Sequence, residues 1–364
     1  MIGSIFKSRR PPPRSQPIRH HTWKWAAAVV VAAAALAWFV RSQLAAHSFD
    51  WSLAAASLRR LHWEWLVISL VPIFGSYYGR ALRWAVFLKP LKPHPSMRNL
   101  LAATVIGFSA ITLFGRPGEF VRPYLIAIKE KVSIPSQLAA WFLERMFDLL
   151  MALLVFGFAL TRLPAAAAHV GPKLAWVLAV GGRVVWVVSL AILLLLFGMR
   201  HFTEPLRKRL VSALRLLPER YFLKFEHLLG AFVQGIESTR SDGALLLVFL
   251  YSVVEWGLIL ACYWCLARAF QGIIDLTFVD VIIFLGFVSF GAIVQIPGIG
   301  GGVQVVAALV LTELFKVRLE LATTFAVFTW IISFVVVVPA GLVWALKEGL
   351  DLRSLRRIGR ETSL

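Results

Sequence analysis

Six apolar runs, each of bilayer-spanning length, dictate what this chain can fold into: Trp23–Val40, Trp65–Leu88, Leu138–Leu160, Leu174–Phe197, Ala244–Leu266 and Thr323–Leu346. A helix needs about 20 predominantly apolar residues to cross the hydrocarbon layer, and a soluble core has no use for repeated runs of that length. Two further apolar stretches are interrupted, one by Gly115-Arg116-Pro117-Gly118-Glu119 and one by Pro297-Gly298-Ile299-Gly300-Gly301-Gly302, at corresponding places in the two halves. Backbone that leaves the helix at membrane depth must have its N–H and C=O groups satisfied by protein or by a polar cavity. Paired broken segments therefore point to a binding site between them. The expected fold class is an all-α polytopic membrane protein with six full transmembrane helices and two opposed re-entrant hairpins, the pattern of an inverted repeat.

The net charge of +19 would suggest nucleic acid in a soluble protein, but no basic stripe with interleaved stacking aromatics is present. Most of the 38 lysines and arginines instead fall in the N-terminal tail, Lys89–Arg98, Arg116–Lys131, Arg200–Arg240 and the tail from Lys347. The opposite side holds Arg41, Arg59, Arg60, Arg162, Lys173, Arg268, Lys316 and Arg318. By the positive-inside rule both termini lie in the cytoplasm, and the cytoplasmic membrane is the expected location. Cys262 and Cys265 sit inside an apolar run and read as packing residues. The tract Pro11-Pro12-Pro13 precedes a run of spanning length with no cleavage site, so no signal peptide is expected.

These signals divide the chain into a disordered basic tail over 1–22, one transmembrane domain over 23–346 and a basic tail over 347–364. Within the domain, 202–242 carries two amphipathic stripes suited to an anionic inner leaflet. Leu100–Phe114, at 15 residues before Gly115, reads as one arm of a hairpin that returns through Phe120–Ile128. Leu276–Phe315 must make an even number of crossings; a hairpin turning at Pro297–Gly302 satisfies that, and so does an eight-span arrangement. The two halves show no residue-by-residue repeat. Arg80 and Arg83, near the cytoplasmic end of their run, are expected to snorkel.

Charged residues inside the apolar segments carry the functional signal. Arg116, Glu119 and Arg122 lie in the first broken element, and Glu144, Arg145 and Asp148 in the run Leu138–Leu160. An isolated charge at mid-membrane costs about 2.5–3.5 kcal/mol on insertion scales, so these six are expected to pair or to face a polar cavity. Glu144 and Asp148, at i,i+4, share a helix face, and Arg145 points about 100° away. One reading is a structural ion-pair network. The other leaves an arginine to bind a lipid phosphate bidentately, assisted by backbone N–H groups near Gly115 and Gly118. Gln295 and Gln304 flank the second turn as neutral hydrogen-bonding groups beside Gly300 and Gly301. The glycine run lacks the Lys-Ser/Thr ending of a phosphate-binding loop, so no nucleotide is assigned. Glu255, Asp280 and Glu313 read as assembly or interface contacts. The scattered histidines form no metal motif, and neither a cofactor nor a catalytic constellation is expected.

The residues Gly115-Arg116-Pro117-Gly118-Glu119-x-x-Arg122-Pro123, Glu144-Arg145-x-x-Asp148 and Ile296-Pro297-Gly298-Ile299-Gly300-Gly301-Gly302 resemble the signature of the lysylphosphatidylglycerol synthase transmembrane region, the flippase-like domain family, over roughly Phe49–Leu346. The resemblance implies a lipid-translocating domain of the cytoplasmic membrane; in aminoacyl-lipid synthases such a domain flips the modified lipid outward. This chain ends soon after its last apolar run, without the aminoacyl-transferase domain, so lipid aminoacylation is not expected. Gln304 stands where many relatives carry glutamate, which argues against an acid-dependent role there. Together the readings predict flipping of a polar, phosphate-bearing lipid, with Arg116, Gly118, Glu119, Arg122, Glu144, Arg145, Asp148, Gln295, Gly300, Gly301 and Gln304 as the site. The alternatives are a membrane enzyme using Glu119, Glu144 or Asp148 as acid or base, and a scaffold without transport.

Overall fold

The computed structural model describes residues 49–166, 180–185, 187–191, 242–292, 295–297 and 300–349. Both tails, the run Trp23–Val40, most of Leu174–Phe197 and the segment 202–242 apart from Asp242 lie outside them. The chain divides into two units, Met1–Asp50 and Trp51–Leu364, and the architecture below is that of the second.

Helix α1 (Trp51–Arg59) leads into α2 (Trp63–Leu88), which runs against α6 (Asp242–Ala269). At one end the His62 N–H donates to the Ala269 carbonyl at 3.0 Å; at the other Arg83 reaches Ser252. The two helices are therefore antiparallel. Between them in sequence come α3 (Met97–Phe114), a 3-10 turn over Arg116–Phe120, α4 (Val121–Glu130) and α5 (Ile134–Ala166).

The first broken element is a closed hairpin. Ser96 caps α3 by accepting the Asn99 N–H, so the helix begins before the apolar stretch and reaches 18 residues. Gly115 ends it at φ +71°, a backbone region open to glycine. The return is tight. A Cβ on Gly118 would stand 2.4 Å from the Ala110 carbonyl, and one on Gly107 would stand 2.6 Å from the Arg122 Cβ. At the base, the Glu130 carboxylate accepts from Lys92 Nζ at 2.6 Å, Asn99 Nδ2 at 2.7 Å and the Ser96 N–H at 3.3 Å. The chain thus returns to the place from which it left. Lys129, next to the clasp, pairs with Glu348 beyond the last helix.

The second broken element also folds back on itself. Thr277 and Asp280 form a reciprocal capping box that opens α7 (Phe278–Gly291), so Asp280 is a cap. A two-residue antiparallel ladder follows, pairing Gln295 with Gly301 and Ile296 with Gly300, and α8 (Gly302–Glu313) leads away. Gly301 holds φ +112°. Its N–H donates to Gln304 Oε1 at 2.7 Å, which starts α8. At 14 and 12 residues, both helices fall short of the length a full crossing needs.

A third interruption lies in the last apolar run. Helix α9 (Leu319–Trp330) passes into a π-helical segment, Ile331–Val335, before α10 (Val338–Lys347), which has Pro339 near its start. Three of the carbonyls at this break are met by hydroxyls from other helices. Tyr77 donates to the Ser333 carbonyl at 2.9 Å, whereas Thr112 shares its one proton between the Phe108 carbonyl of its own helix and Phe334, each at 3.1 Å, and Ser109 shares its proton between the Val105 carbonyl at 2.8 Å and Val337 at 3.2 Å. Substituting such donors is how a broken helix keeps its backbone satisfied in an apolar interior. Among the described residues, Met97–Phe114, Gly243–Ala269 and Leu319–Lys347 are long and apolar enough to cross a membrane. Helices α2 and α5 are 26 and 33 residues long, but carry clustered charges.

Two outcomes are expected from this packing. Gly118→Ala should destabilise the protein by about 1–3 kcal/mol through overpacking, seen as a lower unfolding temperature in detergent, while Gly257→Ala, where a Cβ meets open space, should not. The second concerns pH. Burial pushes the Glu130 carboxyl upward, but hydrogen bonds from Lys92, Asn99 and the Ser96 N–H outweigh it and hold the group below the usual carboxylate range. Its contribution is therefore complete above the ordinary carboxylate pKa and lost as pH falls through the lowered folded-state value. Thermal melts of wild type and Glu130→Gln should converge on acidification.

Candidate functional site

Seven charged side chains from four helices meet in the interior. Helix α2 contributes Arg80 and Arg83 at i,i+3, α4 contributes Arg122, α5 contributes Glu144, Arg145 and Asp148, and α6 contributes Glu255. Arg83 and Glu255 are 0% exposed. The Arg83 guanidinium donates to Glu144 at 2.7 Å and lies 2.9 Å from Asp148 and 3.3 Å from Glu255. Arg80 reaches Glu255 at 2.7 Å, and Arg145 reaches Asp148 at 3.0 Å. Each carboxylate therefore faces at least two guanidinium groups, the arrangement that makes burial of ions tolerable.

Arg122 is held through both terminal nitrogens and one face of its guanidinium. It meets both Glu144 oxygens at 2.9 and 3.0 Å, donates to the Arg80 carbonyl at 2.9 Å and stacks 4.2 Å from the Trp84 ring. The expected coupling between the first broken element and α5 is present in this pair. Arg116 does something different. It pairs with Glu119 inside its own 3-10 turn and donates to the Ala292 carbonyl at 3.0 Å. Ala292 follows α7, so Arg116 joins the turn of the first broken element to that of the second.

Where the two turns meet there is a cavity of about 300 Å³. Arg80, Arg116, Glu119, Arg145 and Asp148 line its charged end. Ser76, Tyr77, Tyr263, Ser289 and Ser333 add hydroxyls, and Phe108, Trp256, Val288 and Phe334 are among its apolar walls. Of the residues singled out in the sequence, Arg116, Glu119, Arg145 and Asp148 are at the cavity, and Arg122 and Glu144 form the buried ion layer behind it. Gly118 permits the tight return of the hairpin. Gly300, Gly301 and Gln304 shape the second turn, whose flanks Ala292 and Val303 line the cavity. Gln295 is placed by its ladder partner Gly301.

Sequence reasoning missed Arg80, Arg83 and Glu255 as members of this cluster. The two arginines do not snorkel; they turn inward because three carboxylates on α5 and α6 await them. Their i,i+3 spacing was the available signal, together with Glu255, which had no apparent partner in its own segment. The hydroxyls of Ser109, Thr112 and Tyr77 likewise gave no sequence sign that they meet a helix break more than 200 positions away.

A family model described as Lysylphosphatidylglycerol synthase TM region matches residues 25–341. No curated protein and no solved structure matches the chain.

The geometry separates two classes of ion pair. Arg122→Gln and Glu144→Gln should each destabilise by about 3–5 kcal/mol, because each leaves a buried charge uncompensated. The double variant should be milder than the sum. Arg116→Gln combined with Glu144→Gln should be close to additive. Unfolding in mild detergent, monitored by tryptophan fluorescence across both cycles, checks the contrast.

Proposed function

The chain belongs to the lysylphosphatidylglycerol synthase TM region family, multi-pass membrane proteins related to lipid modification or flipping, and from that premise we propose that it moves a polar, phosphate-bearing lipid between the leaflets of the cytoplasmic membrane. One observation carries the reading. The turns of two broken elements meet through Arg116 and Ala292, and a cavity with three arginines at its edge lies at that meeting point.

In this reading α2, α5, α6 and the α9–α10 element cross the membrane together with the runs Trp23–Val40, outside the described residues, and Leu174–Phe197, mostly outside them. The α3–α4 and α7–α8 elements are hairpins entering from opposite faces, and both termini are cytoplasmic. Opposed hairpins shorten the apolar path between leaflets, so a headgroup can pass through the cavity while its acyl chains stay in lipid. The arginine-rich edge replaces hydration of a phosphate with charge-assisted hydrogen bonds. Glu119 is held by Arg116, and Asp148 by Arg83 and Arg145; carboxylates so engaged suit positioning of guanidinium groups better than proton transfer. Translocation without catalysis or cofactor is therefore the favoured role. Arg116 and Arg145, 47% and 34% exposed, are the cations offered to the ligand, whereas Arg122 serves the fold.

Purified protein in vesicles should move a headgroup-labelled phospholipid between leaflets faster than protein-free vesicles. Arg116→Ala should slow this by about tenfold, the worth of one charge-assisted hydrogen bond, with the unfolding temperature little changed. Arg122→Ala should instead lower the unfolding temperature. A panel of anionic, zwitterionic and sugar-linked lipids with no exchange above background, even under an imposed ion gradient, would falsify the reading.

A further inference from the structure

The π-helical segment Ile331–Val335 holds one residue more than a continuous α-helix has room for. The Val336 N–H reaches back five positions to the Ile331 carbonyl at 3.0 Å, where an α-helix reaches back four. The helices on either side are anchored. A Cβ on Gly341 of α10 would stand 2.7 Å from the Ser109 Cβ of α3, and Lys129 holds the foot of α10 through Glu348. On the other side of the break, Phe325 of α9 packs edge-on against Phe270 and Phe284, with ring centroids 4.9 and 5.3 Å away. With both ends packed, the surplus residue cannot be expelled by sliding a whole helix; it can only change its place along the chain. Toward α10 the way is closed by Pro339, which fits the first turn of a helix and has no N–H for the Val335 carbonyl four positions before it. Toward α9, which contains no proline, it is open.

The three hydroxyls at the break differ in how firmly they hold it. Thr112 and Ser109 share their protons with the Phe108 and Val105 carbonyls of α3, so each can release the break and keep a hydrogen bond. The Tyr77 proton is committed to the Ser333 carbonyl, and its ring is set edge-on against Phe108 at 5.2 Å. Ser333 in turn donates its own hydroxyl to Tyr263 of α6 at 3.3 Å. Tyr77 therefore supplies the undivided bond of the three. Tyr77, Tyr263, Ser333 and Phe334 all line the cavity, so the break and its latch form part of the cavity wall.

We propose that Ile331–Val335 is a movable wall of the cavity with two settings, latched in the closed one by Tyr77. In the closed setting the surplus residue lies at Ile331–Val335, and Ser333 and Phe334 face the cavity. In the open one it has passed into α9, and those two residues have turned away by about 100°, the angle between successive residues of an α-helix. The backbone keeps the same count of hydrogen bonds in both settings, and the two shared protons return to α3. What is lost is the bond from Tyr77 and the contact of Ser333 with Tyr263, a difference small enough for both settings to be populated. This deepens the lipid-moving reading and rests on it for what passes the wall: it supplies the step that admits a headgroup to a space of about 300 Å³.

The test uses the full-length protein in nanodiscs, with Cys262→Ala, Cys265→Ala and a reporter, Ala152→Cys, on the α5 side of the cavity. The rate at which a charged thiol reagent modifies the reporter reads the open setting. Tyr77→Phe keeps the ring and removes the latch, and should speed modification about tenfold, the worth of one hydrogen bond. Thr112→Val and Ser109→Ala, which remove shared donors, should change it by less than about threefold. Deleting Val335 takes out the surplus residue while α9 and α10 keep their faces, and should bring Tyr77→Phe back to the wild-type rate or below. A loosened fold cannot produce that slowing. Equal acceleration by all three hydroxyl variants, or none by Tyr77→Phe, overturns the proposal. Amide hydrogen exchange gives a reading independent of the deletion: in Tyr77→Phe it should quicken over Thr329–Val336 and stay unchanged in α10, and quickening throughout α9 and α10 counts against a local switch. Lipid exchange in vesicles separates the wall from the reading beneath it. Reporter rates that follow these variants, with no lipid exchange in any of them, keep the wall and remove transport. Lipid exchange at the wild-type rate in the Val335 deletion keeps transport and removes the wall.

Discussion

Everything in the described part of this protein is arranged around a charge problem. Arg83 and Glu255 have no exposure at all, and four helices place ions within reach of them. No single pair solves the problem, because the attraction between two ions seldom repays the loss of their hydration. The solution is a shared network in which Arg83 faces three carboxylates and Glu144 faces three guanidinium groups. Such a network fixes the relative rotation of α2, α4, α5 and α6 more strictly than apolar packing does, since a helix turned by one residue would bury an unmatched charge. The aromatic faces of Trp84 and Phe108 complete the enclosure by covering Arg122 and Arg80.

The same interior accommodates three interruptions of regular helix, and each is resolved by a different device. At Gly115 and Gly118 the absence of a side chain lets the backbone turn and pack against Ala110. At Gly301 a positive φ is combined with a cap from Gln304. At Ile331–Val335 the carbonyls borrow hydroxyl donors from α2 and α3. The first two devices bring their turns together at Ala292, and the third places Ser333 and Phe334 on the wall of the same cavity. The cavity thus lies where helical continuity is given up three times.

Much of this organisation was legible in the sequence, for identifiable reasons. Apolar runs and glycine-proline turns are local signals, so Ala244–Leu266 and both broken elements were located to within a few residues. Glu144 and Asp148 were placed on one face by helical period alone, and a partnership of that face with Arg116 or Arg122 followed from the need to neutralise charge. The period could not say which of two nearby arginines would take that role, and Arg116 took another. Arg80 and Arg83 were misread because five to eight residues from a helix end is within snorkelling reach, and the direction of a side chain depends on what the neighbouring helices offer. The break at Ile331–Val335 was hidden by a run whose hydropathy is continuous; Pro339 was the one local mark of it.

The clasp at Glu130 has a mechanical meaning. The base of the first hairpin is clamped by Lys92, Asn99 and Ser96, and its middle is pinned where Arg122 meets Glu144. Its tip meets the opposite turn through a guanidinium nearly half open to its surroundings. A beam clamped at the root and lightly held at the end bends at the end. Lys129 and Glu348 connect that root to the foot of the last helix, so the compliance of the hairpin is concentrated in the few residues that border the cavity, and the rest of the element behaves as its rigid mount.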